Sequence, residues 1–178
     1  MLSLTSMEQP PPFQEKSGFP TWIFYTIATI PVAIFLYDRL LHPQDAEPFD
    51  WVGLIVIALV GLLIFAFKLT VIVNNQGISF KYPPIYNKSK SIPWDQIKSI
   101  DVMKINPLKE FGGWGIRYGR LGAAYTTRGR HILHIKKTEG KPINLTIISP
   151  ATLIEIASKQ NWPVPIQMSP EEKPNQPL

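Results

Sequence analysis

Residues 51–82 read WVGLIVIALVGLLIFAFKLTVIVNNQGISFKY, and within them the character of the chain changes. From Trp51 to Leu69 no charge interrupts the apolar run before Lys68. At 1.5 Å per residue, about 19 residues reach roughly 28 Å, close to the thickness of a bilayer core. A helix at the surface of a soluble core would carry a polar face at 3.6-residue spacing, and this run has none. From Leu69 onward the pattern shortens to LTVIV (69–73), a turn at Asn74-Asn75-Gln76-Gly77, and ISFKY (78–82), the signature of a β-hairpin. A membrane helix therefore feeds straight into a strand.

Outward toward the N-terminus lies a second apolar run, Phe19 to Leu41 (FPTWIFYTIATIPVAIFLYDRLL), with Asp38 and Arg39 at its end and Pro31 in its middle. The two runs predict a transmembrane hairpin over residues 19–69, with spans 19–41 and 51–69 and a kink at Pro31. The leading residues contain Glu8 and Glu15 among prolines and lack the short basic region of a cleaved signal peptide. They read as a disordered tail, 1–18. The connector HPQDAEPFD (42–50) holds three acids and no lysine or arginine, whereas Lys68, Lys81, Lys88 and Lys90 follow the second span. The positive-inside bias places the connector outside and both termini in the cytoplasm of a multi-pass inner-membrane protein.

Charge divides along the same boundary. Residues 1–67 carry two basic residues against six acids, and residues 68–178 carry sixteen against seven, so the second part is net +9. An anionic inner leaflet beside it accounts for that charge without nucleic acid. The chain has no cysteine, which excludes disulfides, thiolate metal sites and a cysteine nucleophile.

Beyond the first hairpin, further strands are predicted at 87–92, 98–105, 115–127, 130–137 and 142–149, and a single helical turn at Pro93–Ile97. Ser149, followed by Pro150, fits a helix N-cap, and ATLIEIASKQNW (151–162) has apolar residues at helical spacing. Pro163 and Pro165 stop this helix, and 163–178 reads as a disordered Pro-rich tail. Seven short antiparallel strands and one C-terminal helix, an α+β domain over 70–162, follow the order of a pleckstrin-homology (PH) domain. The stretches TVIVNNQGISFKY (70–82), IPWDQIKSIDV (92–102), FGGWGIRYG (111–119) and AAY (123–125), behind a two-helix anchor, resemble the bacterial PH-like membrane proteins. The resemblance spans about residues 68–160. It implies a PH-like seven-stranded barrel or sandwich capped by an α-helix, and no catalytic activity.

Catalytic and cofactor motifs are not apparent. His131 and His134 are three apart on a predicted strand and point to opposite faces, a poor geometry for joint metal ligation. The glycines around Gly113 and Gly115 miss the G-x-G-x-x-G spacing, and no G-K-[ST] exists. The expectation is a non-enzyme without cofactor. It would act as a membrane-anchored interaction or scaffold module touching anionic lipid, with another membrane or cytoplasmic protein, or a second copy, as partner. The alternative is an accessory subunit of a membrane enzyme or transporter complex.

Strand parity locates its interface. The first strand starts at the membrane, so the turn at 74–77 is distal, and the connections 83–86 and 106–114 are proximal. The first turn lacks the basic residues with which PH domains grip phosphoinositides. Basic and aromatic residues mix instead around the second proximal loop, as suits a headgroup zone. The predicted membrane-interface residues are Tyr86, Lys109, Phe111, Trp114, Arg117, Tyr118 and Arg120. For Trp114 two readings stand: lipid contact, or packing over neighbouring glycines inside the barrel.

Overall fold

Alternation of apolar and polar side chains begins before the first apolar helix. In the computed structural model, which describes residues 11–42, 50–119 and 121–169, Phe13–Gly18 is a strand, β1. Phe13 and Ser17 point inward and are buried, while Gln14 and Lys16 are exposed. Residues 13–18 are therefore not the tail expected from their composition. Their polarity is that of a strand with one wet face, and their pairing partner lies fifty residues further on, beyond the reach of local pattern. Residues 1–10 lie outside the described residues.

Two apolar helices follow, α1 (Thr21–Leu41) and α2 (Asp50–Ala66). No residue of α1 is buried. It is the one helix among the described residues long and apolar enough to cross a membrane, and α2 is apolar but shorter. The two pack side by side in opposite directions, because Phe24 meets Phe65 at 5.6 Å and Phe35 meets Trp51 at 5.0 Å. Pro31 sits within α1, and the connector 43–49 lies outside the described residues.

The rest is two sheets. The first has the order β1-β2-β3-β4, all antiparallel, with β2 at Lys68–Asn74, β3 at Gly77–Tyr82 and β4 at Tyr86–Pro93. Its first turn forms as the sequence predicts, with the Asn74 side chain accepting hydrogen bonds from the Gln76 and Gly77 amides. Gly77 has φ +142°, and a Cβ there would collide with the Ile92 carbonyl. A 3-10 turn at Trp94–Gln96 then leads to the second sheet. Its strands are β5 (Ile97–Lys104), β6 (Gly115–Gly119), β7 (Gly122–Thr126), β8 (His131–Lys137), β9 (Ile143–Ile147) and β10 (Ile166–Met168). The order is β10-β5-β8-β9-β7-β6, with β10 parallel to β5 and β7 parallel to β9.

Besides β1, this departs from the seven antiparallel strands of the expectation in three places. The single strand predicted over 115–127 is two antiparallel strands, since Gly115–Gly119 pairs with Gly122–Thr126. The Gly-rich stretch before it holds a short helix, α3 (Pro107–Phe111). Asn106 caps it through a bond from the Leu108 amide, Pro107 opens it and left-handed Gly112 ends it. Part of the predicted C-terminal tail is strand β10, which adds to the edge of β5. Among the described residues the sheets do not close into a barrel: β4 and β6 each remain an outer edge.

The inner faces share one core. Leu69, Val71 and Val73 of β2, Ile78, Phe80 and Tyr82 of β3, Leu133 and Ile135 of β8 and Leu145 and Ile147 of β9 are all essentially buried. Helix α4 (Pro150–Gln160) closes it with fully buried Leu153, assisted by Ile156 and Ala157. Ser149 holds the N-cap position without a side-chain bond. The carboxylate of Glu15 on β1 instead fixes the approach to the helix, accepting from the Ile148 and Ser149 amides at 2.6 and 2.8 Å. Past the helix, Trp162 packs on Trp94 at 5.7 Å.

Because Leu153 is fully buried, Leu153→Ala should lower unfolding free energy by about 2–5 kcal/mol. Denaturant titration of the detergent-solubilised chain measures it. A loss under about 1 kcal/mol would mean that α4 is not part of the core.

Candidate functional site

The first residue after α2 fixes which end of the sheets meets the helices. Phe67 contacts Phe19 at 6.0 Å and Tyr82 at 5.8 Å. Gly18 and Lys68 are the last pair of β1 and β2 at that end. The Gly18 carbonyl accepts from the Arg128 amide, and the Ser17 and Thr127 hydroxyls bond at 2.6 Å, which fastens the second sheet to the same end. The turn 83–86 starts from Tyr82, so strand parity located it correctly relative to the helices. Trp114 lies there too, edge-on to Trp22 in the first turn of α1 at 5.9 Å. It is half-buried and stands outside the core cluster, so packing inside the sandwich does not describe it.

From this end the two unpaired edges, β4 and β6, face each other across a seam lined with phenols. Tyr125 is its centre: Phe80 lies at 4.8 Å, Tyr82 at 6.1 Å and Tyr86 at 6.1 Å. The phenol of Tyr86, half-buried on β4, is the main cause of a raised pKa at exposed Tyr118 of β6. The ammonium of Lys90 sits 3.8 Å above the Tyr86 ring, a cation–π contact, and 6.0 Å from Tyr125. In the β3–β4 register Lys90 stands opposite Phe80, so it projects from the core face of the sheet, although it is exposed. Tyr82 is fully buried, and its hydroxyl donates to the Thr126 carbonyl at 3.3 Å. Burial pushes its pKa up to about 12, against the opposing charge of Arg117.

Of the residues predicted from sequence, Tyr86 and Tyr118 converge on this seam, whereas Arg117, opposite Ala124, faces away from the core and its guanidinium lies near Gly113. Trp114 sits apart from them at the base of α1. Lys109, exposed, and Phe111, half-buried, lie on α3. Arg120 lies outside the described residues. Sequence reasoning missed Lys90, Tyr82 and Tyr125, as well as Trp22. A signal existed for Tyr82: it and Tyr86 bracket Pro83-Pro84, a turn that brings both to one end. The two histidines behave as their spacing predicts. His134 is buried, with Nδ1 2.6 Å from the Asn144 carbonyl oxygen, whereas His131 pairs with Lys104, and burial, with that lysine's charge, lowers its pKa. Among the described residues no cluster of three or more metal-ligating side chains occurs.

No known protein family, curated protein or solved structure matches the chain.

The raised pKa of Tyr82 makes stability depend on pH in one direction. The phenol keeps its proton in the folded state when the unfolded phenol would lose it, so its contribution is full below pH 10 and is lost as pH rises toward 12. Across that window the wild-type chain should lose on the order of 2 kcal/mol more than Tyr82→Phe. Denaturation midpoints measured at pH 9 to 12 on both chains test this, and parallel curves would place Tyr82 in water.

Proposed function

We propose that this protein is a membrane-anchored interaction module, in which α1 and α2 both cross the bilayer and carry a PH-like domain on its cytoplasmic face. The observation that carries this reading is the pairing of β1 with β2. These strands flank the two helices in sequence, and they align residue for residue from Phe13↔Val73 to Gly18↔Lys68. A chain that crossed the membrane once between them would leave Gly18 and Lys68 on opposite sides, about 30 Å apart. An even number of crossings returns it to its partner strand. The antiparallel packing of α1 and α2 supports the same reading, and α2, at about 25 Å for its 17 residues, reaches the lower limit for a span.

The PH-like assignment draws support from strand order. Without the β6–β7 hairpin and β10, the first sheet is a four-stranded meander, β1-β2-β3-β4, and the second a three-stranded one, β5-β8-β9. One C-terminal helix closes them. That is the four-plus-three-plus-helix plan, here with the helices inserted between the first two strands. The lysines after the second span favour the cytoplasmic side for the domain. A domain held at the membrane, with basic and aromatic residues at its helix end and an open sheet edge, is suited to recruiting lipid and a protein partner rather than to chemistry.

The natural absence of cysteine makes topology directly measurable. Single variants Gln14→Cys, Ala46→Cys and Glu139→Cys are exposed to a membrane-impermeant maleimide on intact cells and again after lysis. Residue 46 should label on intact cells, and residues 14 and 139 only after lysis. Labelling of 14 and 139 from opposite sides would refute the double crossing, and labelling of 139 on intact cells would refute the cytoplasmic domain.

A further inference from the structure

The links that join the domain to its helices have almost no slack. Only Phe19 and Pro20 separate β1 from α1, and only Phe67 separates α2 from β2. At no more than about 3.5 Å per residue, neither link lets the sheets stand off from the helices by more than roughly 7 Å. Strand direction then assigns the other connections to one end or the other. The turn 83–85 and the stretches 105–114 and 127–130 lie at the helix end. They are fixed there by Tyr82 against Phe67, Trp114 against Trp22, and the Arg128 amide on the Gly18 carbonyl. The connections 74–77, 94–96 and 138–142 lie at the far end.

The two ends differ in what they expose. At the helix end Ile85, in the turn 83–85, and Leu108, on α3, are both more than half exposed. Around them Lys68, Lys104, Lys109, Arg128 and Arg130 are exposed, against one acid in the same connections, Glu110. The far connections expose no large apolar side chain, and they carry Asp95 and Glu139 beside Lys141. A single exposed leucine or isoleucine is ordinary on any protein surface. Here two stand on connections of different sheets, at the one end that two apolar helices enter, with cations around them. That layering complements a bilayer surface, apolar beneath and anionic above. A protein partner at this end would have to displace the lipid around α1 and α2. We infer that the helix end of the domain is seated on an anionic bilayer surface, with Ile85 and Leu108 dipping below the headgroups and Lys104, Lys109, Arg128 and Arg130 meeting their phosphates.

This rests on the membrane-anchored reading and deepens it, and one experiment reads the two apart. In the full-length chain, which has no native cysteine, single variants Ile85→Cys, Leu108→Cys, Asn75→Cys and Leu59→Cys carry a nitroxide spin label. All four positions are exposed, so the labels leave the core intact. The chains are reconstituted in vesicles of equal parts phosphatidylglycerol and phosphatidylcholine. Relaxation by oxygen, which concentrates in lipid, is compared with relaxation by a water-soluble nickel chelate. Labels at 59, 85 and 108 should respond chiefly to oxygen, and the label at 75, in the far turn, chiefly to nickel. In phosphatidylcholine alone, or with Arg128→Gln and Arg130→Gln added, nickel access at 108 should rise at least about twofold. Both arginines hold their fold contacts through backbone groups, which glutamine keeps. Lys98→Gln with Lys141→Gln removes the same charge from the far end. That end is roughly 20 Å away, beyond the Debye length of ~8 Å, so nickel access at 108 should not change.

Nickel reaching 85 or 108 as freely as 75, with 59 still in lipid, would overturn the seat and leave the anchor standing. Nickel reaching 59 as freely as 75 would overturn the anchor itself, and the seat with it. An unchanged profile in phosphatidylcholine alone, or equal rises from the two glutamine pairs, would overturn the role of the anionic surface. The vesicle leaflets have the same composition, so the readout does not depend on which side the domain faces. A wrong orientation shows in the maleimide labelling alone.

Discussion

The ladder between β1 and β2 is the interaction on which the rest of the structure depends. It joins residues 13–18 to residues 68–73 across the whole of both apolar helices. Phe13 enters the core from it, Glu15 supplies the carboxylate at the start of α4, Ser17 bonds to Thr127, and the Gly18 carbonyl receives the Arg128 amide. Each of these contacts reaches a different part of the second sheet or its closing helix. A six-residue strand without a single β-branched residue has little intrinsic preference for its conformation. It is held by what it touches. The helices, for their part, are an insertion within a β-hairpin rather than an appendage hung on one end of a domain.

The same strand explains why the sandwich has one sealed side and one open side. Where β1 meets the second sheet, backbone and hydroxyl bonds fasten the layers. On the far side β4 and β6 have no strand between them, and the gap is spanned by side chains: Tyr86 to Tyr118, and Lys90 over Tyr86. Within the second sheet β9 lies between β8 and β7, and Asn144 stitches that arrangement. Its amide donates to the Leu121 and Ala123 carbonyls, which leaves its oxygen to accept from His134 and so assigns the proton of that ring to Nδ1. This buried polar network is fully satisfied, as are the other buried side-chain polar atoms among the described residues.

Much of this was legible in the sequence, and the part that was not has a common cause. The apolar helices, the Asn74–Gly77 turn, β5, β8, β9 and α4 are each written locally, as an unbroken apolar run, a turn with its glycine, a strict alternation or a proline-opened amphipathic segment. β1, β10 and the parallel pair β7–β9 are defined by partners far along the chain, and no local period reports them. The hairpin at Gly119–Gly122 was a local signal read too coarsely, because two glycines flanking two residues within a polar stretch resemble a bulge as readily as a turn. For the site, aromatic composition pointed to Tyr86 and Tyr118. Lys90 stayed hidden because a lysine in NKSKSI reads as a solvated face, and only the register opposite Phe80 turns it toward the core.

Gly18 and Lys68 stand directly opposite each other at the end of an antiparallel ladder, and that geometry makes the anchor detachable. A tight glycine-containing turn joining residue 18 to residue 68 completes the hairpin that the helices interrupt, with no strand needing to shift register. The product keeps every residue of the buried core cluster, including Phe13. A truncation that simply starts after α2 discards β1 and leaves β2 as a naked edge with Phe13 missing from the core. In the intact chain the folded helix pair performs the service of that turn. It holds apart-in-sequence ends within a helix diameter of each other, so about fifty residues of loop-closure entropy need not be overcome by the strands themselves.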